Sequence, residues 1–381
     1  MAIETKVLWL TDNYPPRRGG MAQACDRIVS SLRNNNIYID VAFFNASAYN
    51  FKVVSQKNGK LFAVPLSDSP AHNLNLLYNY ITDPSNKLEY THIVAFGGTA
   101  PILALPIYKK WLNAKAITLL RGNDFDVGVF QPAKRQILFD ALKNSDYVSV
   151  LSKDVKNKVL SLFPDLNVIH IPNGIDLEEW VQDSSDIEEA ANFRNKNGIS
   201  CNQLLIGLFG QLKEKKGVVF FLENLLRTGL QEKIAFLMVG DVEENVQKWI
   251  TEHTNEETGL KILQLPFMDR YELLNKYPAC DFIALPSHYD GMPNVLLEAG
   301  ALGIPIIAAR TAGIFEALPK EQKFLTFHPG NADQCRQALN NAANLSLDER
   351  KQIGKDLKKH IKENFNSHLE EVAYLKIFSD K

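Results

Sequence analysis

The sequence predicts an α/β protein built from two doubly wound, Rossmann-like domains facing each other across a cleft. Three observations carry the prediction. Short apolar runs alternate with longer amphipathic segments, a charged stretch separates two such series, and 381 residues are more than one ordinary core needs.

The first series comprises Val7–Leu10, Val41–Phe44, Leu61–Leu66, His92–Phe96, Ala116–Leu120, Tyr147–Leu151 and Val168–Ile171. The second comprises Leu204–Phe209, Ile234–Val239, Ile262–Phe267, Phe282–Leu285, Ile304–Ala308 and Phe324–Phe327. Runs this short and this apolar suit parallel strands buried on both faces. Between them, segments such as Met21–Arg33 and Val218–Arg227 have the period of helices, and the alternation implies right-handed βαβ units. The charged stretch lies within Leu177–Ser200, so the expected domains are 1–180 and 181–360. Glu349–Lys381 reads as helix, with Leu357, Ile361, Leu369, Val372 and Tyr374 available for burial. In doubly wound domains the ligand sites lie beyond the C-terminal ends of the strands.

Composition narrows the functional classes. The net charge of -2 gives no basic excess that would draw in a nucleic-acid backbone; a local basic patch meeting a membrane surface stays open. Cys25, Cys201, Cys280 and Cys335 lie far apart without a CxxC pair, which fits neither a zinc site nor a disulfide framework. The segment MAIETKVLWL lacks the pattern of a secretion signal, and no stretch of about 18 apolar residues occurs. The expectation is a soluble cytoplasmic protein with reduced thiols.

The most informative segment is Leu285–Arg310, LPSHYDGMPNVLLEAGALGIPIIAAR. A strand ends, a polar loop follows, and a helix begins near Pro293–Asn294, where proline suits the first turn. The N–H groups and positive dipole end of that helix suit a phosphate. Asp290 in the loop and Glu298 on the helix are spaced to face one pocket; a capping loop with a solvated glutamate is the plainer alternative. GQLKEKKG, Gly210–Gly217, follows the first strand of the second series and offers Lys213 and Lys216, or simply a solvated helix start. In the first series Gly19 and Gly20 lie between a strand and a helix, where glycine lets backbone approach a ligand. Arg17 and Arg18 beside them reach either a ligand or water. Asn123 and Asp124, in LLRGNDFD, are either a polar contact or an Asx turn.

Taken together these blocks resemble the retaining glycosyltransferases of family 4, also called group 1, which have the GT-B fold. PSHYDGMPNVLLEAGALGIPIIA is similar to the family's block of two glutamates separated by seven residues. The resemblance places Glu298 on the donor ribose and Asp290 at the first, catalytic glutamate, one methylene shorter. Gly291, Met292 and Asn294 then supply close backbone approach to sugar and phosphate. Lys216 matches the lysine that neutralises the donor pyrophosphate. Gln211 stands where the family has arginine, with Lys213 as the nearby substitute cation. Gly240, in VGD, falls beside the donor site, and Phe267 falls in the stretch lining the base pocket.

NYPPRRGGMAQACDRIVSSL resembles the family's first glycine element, which makes Gly19 and Gly20 an acceptor or phosphate loop. LLRGNDFD resembles the segment presented to acceptor and anomeric centre, with Asp124 as the catalytic polar contact and Arg121 at the usual histidine. IPNGID reads as a structural turn, and His288 is a further donor contact. In the family the last helix, 361–381 here, packs back on the N-terminal domain.

The function implied is retaining transfer of a sugar from a nucleotide diphosphate-sugar to an acceptor hydroxyl, in cell-surface polysaccharide or glycoconjugate synthesis. The acceptor is a saccharide, a lipid-linked sugar or a small molecule, and no metal or other cofactor is expected. One DxD string occurs, Asp124–Phe125–Asp126, outside the donor domain. Two alternatives stay open: another GT-B sugar-nucleotide enzyme, such as an epimerase or phosphorylase, and a non-catalytic nucleotide-sugar-binding partner.

Overall fold

The computed structural model describes residues 5–86, 88–122, 124–255 and 257–379. They fall into two units, Met1–Pro172 with Glu370–Lys381, and Asn173–Leu369.

The first unit carries an eight-stranded sheet: β1 (Lys6–Thr11), β2 (Tyr38–Asn45), β3 (Lys52–Gln56), β4 (Gly59–Pro65), β5 (His92–Phe96), β6 (Lys115–Leu119), β7 (Tyr147–Val150) and β8 (Val168–His170). Its order is β3-β4-β2-β1-β5-β6-β7-β8, parallel except for the β3–β4 pair. The helices are α1 (Gly20–Asn34), α2 (Pro70–Thr82), α3 (Thr99–Leu112), α4 (Pro132–Lys143) and α5 (Lys153–Leu162). Strand alternation sends Val7 and Trp9 to one face and Leu8 and Leu10 to the other. Ile28, Val29 and Leu32 of α1 cover the first face, and Leu77 of α2 with Ile102 and Leu105 of α3 cover the second. β3 was not among the predicted runs. Every residue of KVVSQ is exposed, so this antiparallel edge strand lacks the apolar signature of a buried one.

The second unit begins with α6 (Ser184–Lys196) and has a parallel six-stranded sheet: β9 (Leu204–Phe209), β10 (Ile234–Val239), β11 (Ile262–Leu265), β12 (Phe282–Leu285), β13 (Ile306–Ala309) and β14 (Thr326–Phe327). The order is β11-β10-β9-β12-β13-β14. Between and after the strands lie α7 (Val218–Leu226), α8 (Glu244–His253), α9 (Arg270–Leu273), α10 (Asn294–Leu302), α11 (Ala312–Ala317), α12 (Ala332–Asn344) and α13 (Leu347–Asn364); α14 (Ser367–Ser379) starts here and belongs to the first unit from Glu370 on. Only the end of the run Phe324–Phe327 is strand; Lys320–Leu325 winds as a 3-10 turn.

The division between units falls at Pro172/Asn173, before the expected 180. Asn173 donates to the Met292 carbonyl, Ile175 bridges to Asn366, and Trp180 packs edge-on against Tyr277, so 173–180 is held by the second unit. The expected single C-terminal helix is two, broken at Phe365–Asn366. Ile361, counted with the returning tail, instead packs against Gly300 of α10 in the second unit. From Glu370 on, the chain belongs to the first unit. Tyr374, Ile377 and Phe378 enter the core under α1, Arg27 Nε donates to Glu370 at 2.9 Å, and Ser31 donates to Glu371. Leu369, also expected to be buried, is 46% exposed.

Candidate functional site

In each sheet the strand order reverses once, between β1 and β5 and between β9 and β12. Crevices form beyond the C-terminal ends of strands at such points. In the second sheet Lys216 and Asp290 meet beside that point, whereas Gly240 follows β10 and Phe267 follows the edge strand β11.

In the second unit, Gly210 leaves β9 and the chain turns through Lys213 into the 3-10 turn Glu214–Lys216. Gly217 then starts α7 at φ 66, and a Cβ there would lie 2.1 Å from the Pro286 carbonyl oxygen. Only glycine permits both the left-handed backbone and that approach, so the Lys216 turn lies directly on the end of β12. Gly240, at φ +126, meets the Gly210 carbonyl the same way. Its observed role is to let the β9 and β10 loops touch. The His288 N–H donates to the Lys215 carbonyl at 3.0 Å, and the His288 ring meets Phe220 edge-on.

This stitching brings the Lys216 ammonium onto the Asp290 carboxylate, which also accepts from Ser287 Oγ at 3.3 Å. Gly291 and Met292 are held from two sides. Asn173 Nδ2 donates to the Met292 carbonyl at 2.9 Å, and Gly313 at the start of α11 sits so close that a Cβ would be 1.9 Å from the Gly291 oxygen. The IPNGID turn, read from sequence as structural, is therefore a brace for the Asp290 loop. Met292 itself is buried.

α10 starts at Asn294 with Pro293 as N-cap and no side-chain cap. Glu298, one turn further on, is buried, and Tyr277 donates its phenolic hydrogen to Glu298 Oε2 at 2.5 Å. Burial, then the neighbouring carboxylate, raise the Tyr277 pKa well above its ordinary value, so the phenol stays a donor. Nothing in the sequence marked Tyr277, which lies 21 residues before its partner. Gln211 is exposed, Lys213 half-buried, and Phe267 half-buried between β11 and α9.

In the first unit, the Asp124 carboxylate accepts from the Arg121 N–H at 2.8 Å and the Gly98 N–H at 3.4 Å. Burial and the negative charge of Asp12 push its pKa up to about 6, against those two hydrogen bonds and Arg121. Asp12 follows β1, and burial raises its pKa too, although Arg17 opposes. Asp12 was missed, yet a carboxylate directly after a buried strand at a switch point was a usable signal. Gly19 is the N-cap of α1 and Gly20 its first residue, with no side-chain cap.

Arg121, expected in the acceptor or phosphate loop, points inward instead. It is 3% exposed, its guanidinium lies over Phe96 at 4.9 Å, and it donates to the Tyr374 hydroxyl. The long side chain is retained in the core by an aromatic face and a buried acceptor. Asn123 lies outside the described residues. The DxD string is split: Asp124 is half-buried and bonded to the backbone of Arg121 and Gly98, whereas Asp126 pairs with Lys158 at 3.0 Å. Among the described residues, no three His, Cys, Asp or Glu side chains gather as a metal would require. No helix there is long and apolar enough to cross a membrane.

Comparison with known proteins follows the same lines. Residues 189–360 match the family described as glycosyl transferases group 1. The chain is 25% identical over 348 residues to an uncharacterized glycosyltransferase of Methanocaldococcus jannaschii, covering 86% of each. It is 22% identical over 333 residues to the GDP-mannose-dependent alpha-(1-6)-phosphatidylinositol monomannoside mannosyltransferase of Mycolicibacterium smegmatis, covering 82% of each. Among solved structures, sucrose-phosphate synthase from Thermosynechococcus elongatus aligns over 98% of both chains with TM-score 0.81 at 15% identity. Anabaena HepE in complex with UDP and glucose aligns over 98% of this chain and 99% of that one, with TM-score 0.75 at 17% identity. The fold is GT-B.

Proposed function

We propose that this chain, which belongs to the group 1 glycosyltransferases, moves a sugar from a nucleotide diphosphate-sugar to an acceptor hydroxyl with retention of anomeric configuration and without a metal, in glycoconjugate or cell-surface polysaccharide synthesis. The observation that carries the reading is the meeting of Lys216 with Asp290, in the loop that leads into α10, at the β9/β12 switch point, with Glu298 buried on that helix.

A diphosphate at this point meets one ammonium and the N–H groups of the first turn, both complementary to charge that grows as the nucleotide leaves. Lys216 stabilises the leaving group. Asp290, tied to Lys216 and Ser287, holds hydroxyls of the transferred sugar. Glu298 accepts from the ribose. The leaving phosphate takes the proton of the incoming hydroxyl on the same face, so the protein's part is alignment and electrostatics. In the first unit, Asp124 is the acceptor-side carboxylate.

The test is nucleotide release. GDP-mannose and UDP-glucose are incubated with the chain, with and without extracts supplying acceptors, and product configuration is read by NMR. Release stimulated by acceptor, with retained configuration, is the expected result. Tight binding of nucleotide without release would instead fit a non-catalytic partner.

A further inference from the structure

We propose that Tyr277 is a positioning residue for donor binding, holding Glu298 in the conformation that meets the ribose; this rests on the reading of Glu298 as the ribose ligand. Tyr277 is fully buried, its ring set edge-on against Phe209 at 4.6 Å and Trp180 at 5.6 Å. Those contacts would be made equally by phenylalanine. The hydroxyl is spent on one partner, Glu298 Oε2.

A glutamate loses side-chain freedom when it is ordered, and that cost falls on ligand binding unless the free protein has already met it. Here the rigid ring fixes the hydroxyl, and the hydroxyl fixes the carboxylate. An ionised carboxylate accepts up to about four hydrogen bonds, so the bond to Tyr277 orients Glu298 without consuming its capacity. Phe209 is the last residue of β9, directly before the Gly210–Lys216 loop. The box that holds Tyr277 is therefore part of the strand end that carries Lys216.

Binding of UDP, GDP and ADP is measured by calorimetry on the full chain, and the tightest is compared with its 2′,3′-dideoxy form. Tyr277→Phe should weaken the ribonucleotide about tenfold, the scale of one hydrogen bond to a charged group, and leave the dideoxy form unchanged. In a Glu298→Gln background the same substitution should change neither. Unaltered ribonucleotide affinity, or equal weakening of both nucleotides, overturns the proposal. Should Tyr277→Phe fail to fold, Trp180→Leu loosens the ring while keeping the hydroxyl: loss confined to the ribonucleotide supports the proposal, and equal loss overturns it. Failure of the underlying reading looks different, because Glu298→Gln alone would then leave ribonucleotide affinity at the wild-type level.

Discussion

Lys216 and Asp290, 74 residues apart in the chain, form one ion pair at the switch point of the second sheet. The pair exists because Gly217 lets its turn rest on Pro286. In the proposed reaction an incoming diphosphate would offer Lys216 a second anion, so the lysine would exchange or share its partner when donor binds.

Lys216→Gln should lower donor turnover about 100-fold or more, the scale of removing one preorganised charge donor. Its effect on nucleoside monophosphate binding should be smaller than on the diphosphate. Equal losses for both, measured by calorimetry, would place the ammonium away from the diphosphate.

Glu298→Ala should weaken nucleoside diphosphate binding by about 1–3 kcal/mol. The check is calorimetry on a variant whose melting temperature confirms folding; unchanged affinity removes Glu298 from the ribose.

On the proposed function turnover should survive EDTA, because Lys216 and the N-terminus of α10 would then meet the diphosphate charge. Loss on chelation, restored by Mg²⁺ or Mn²⁺, would contradict this.

Asp124 makes stability depend on pH. Its pKa is raised from 3.8 to about 6, chiefly by burial. The folded state therefore holds its proton more tightly than the unfolded state, and this contribution is complete below pH about 4 and lost as pH climbs through about 6. Asp124→Asn cannot ionise, so its melting temperature should gain on wild type between pH 4.5 and 7.5. A constant difference across that range would show that Asp124 ionises freely.

Removing residues after 369 strips Tyr374, Ile377 and Phe378 from the first unit's core. Tyr374→Ala alone should cost about 3–5 kcal/mol, read as a drop in chemical-denaturation midpoint, because the side chain is buried and bonded to Arg121. A truncated chain that melts like the parent would refute the role of the tail.

Much of this architecture was legible because buried parallel strands announce themselves: each of the thirteen apolar runs overlaps a strand of the sheets. β3 escaped because its side chains face water. Of the candidate site, the loops that carry Lys216 and Asp290 and the helix that carries Glu298 were legible because each follows a buried strand, whereas the Lys216–Asp290 pair itself was not. Arg121, placed by resemblance at the usual histidine, turns into the core toward Tyr374, a partner 253 residues away that only folding brings to it. Tyr277 was silent for a related reason: its contact with Glu298 is one that only the folded chain creates.

The first unit is assembled from two stretches of chain separated by the whole of the second. On the ribosome, residues up to Pro172 emerge long before Tyr374, Ile377 and Phe378, and until those arrive the face under α1 stays open. The usual order, in which an N-terminal domain folds to completion first, does not apply. The N-terminal half waits as an incomplete apolar surface, and α14, made after the second unit, is the helix that closes it.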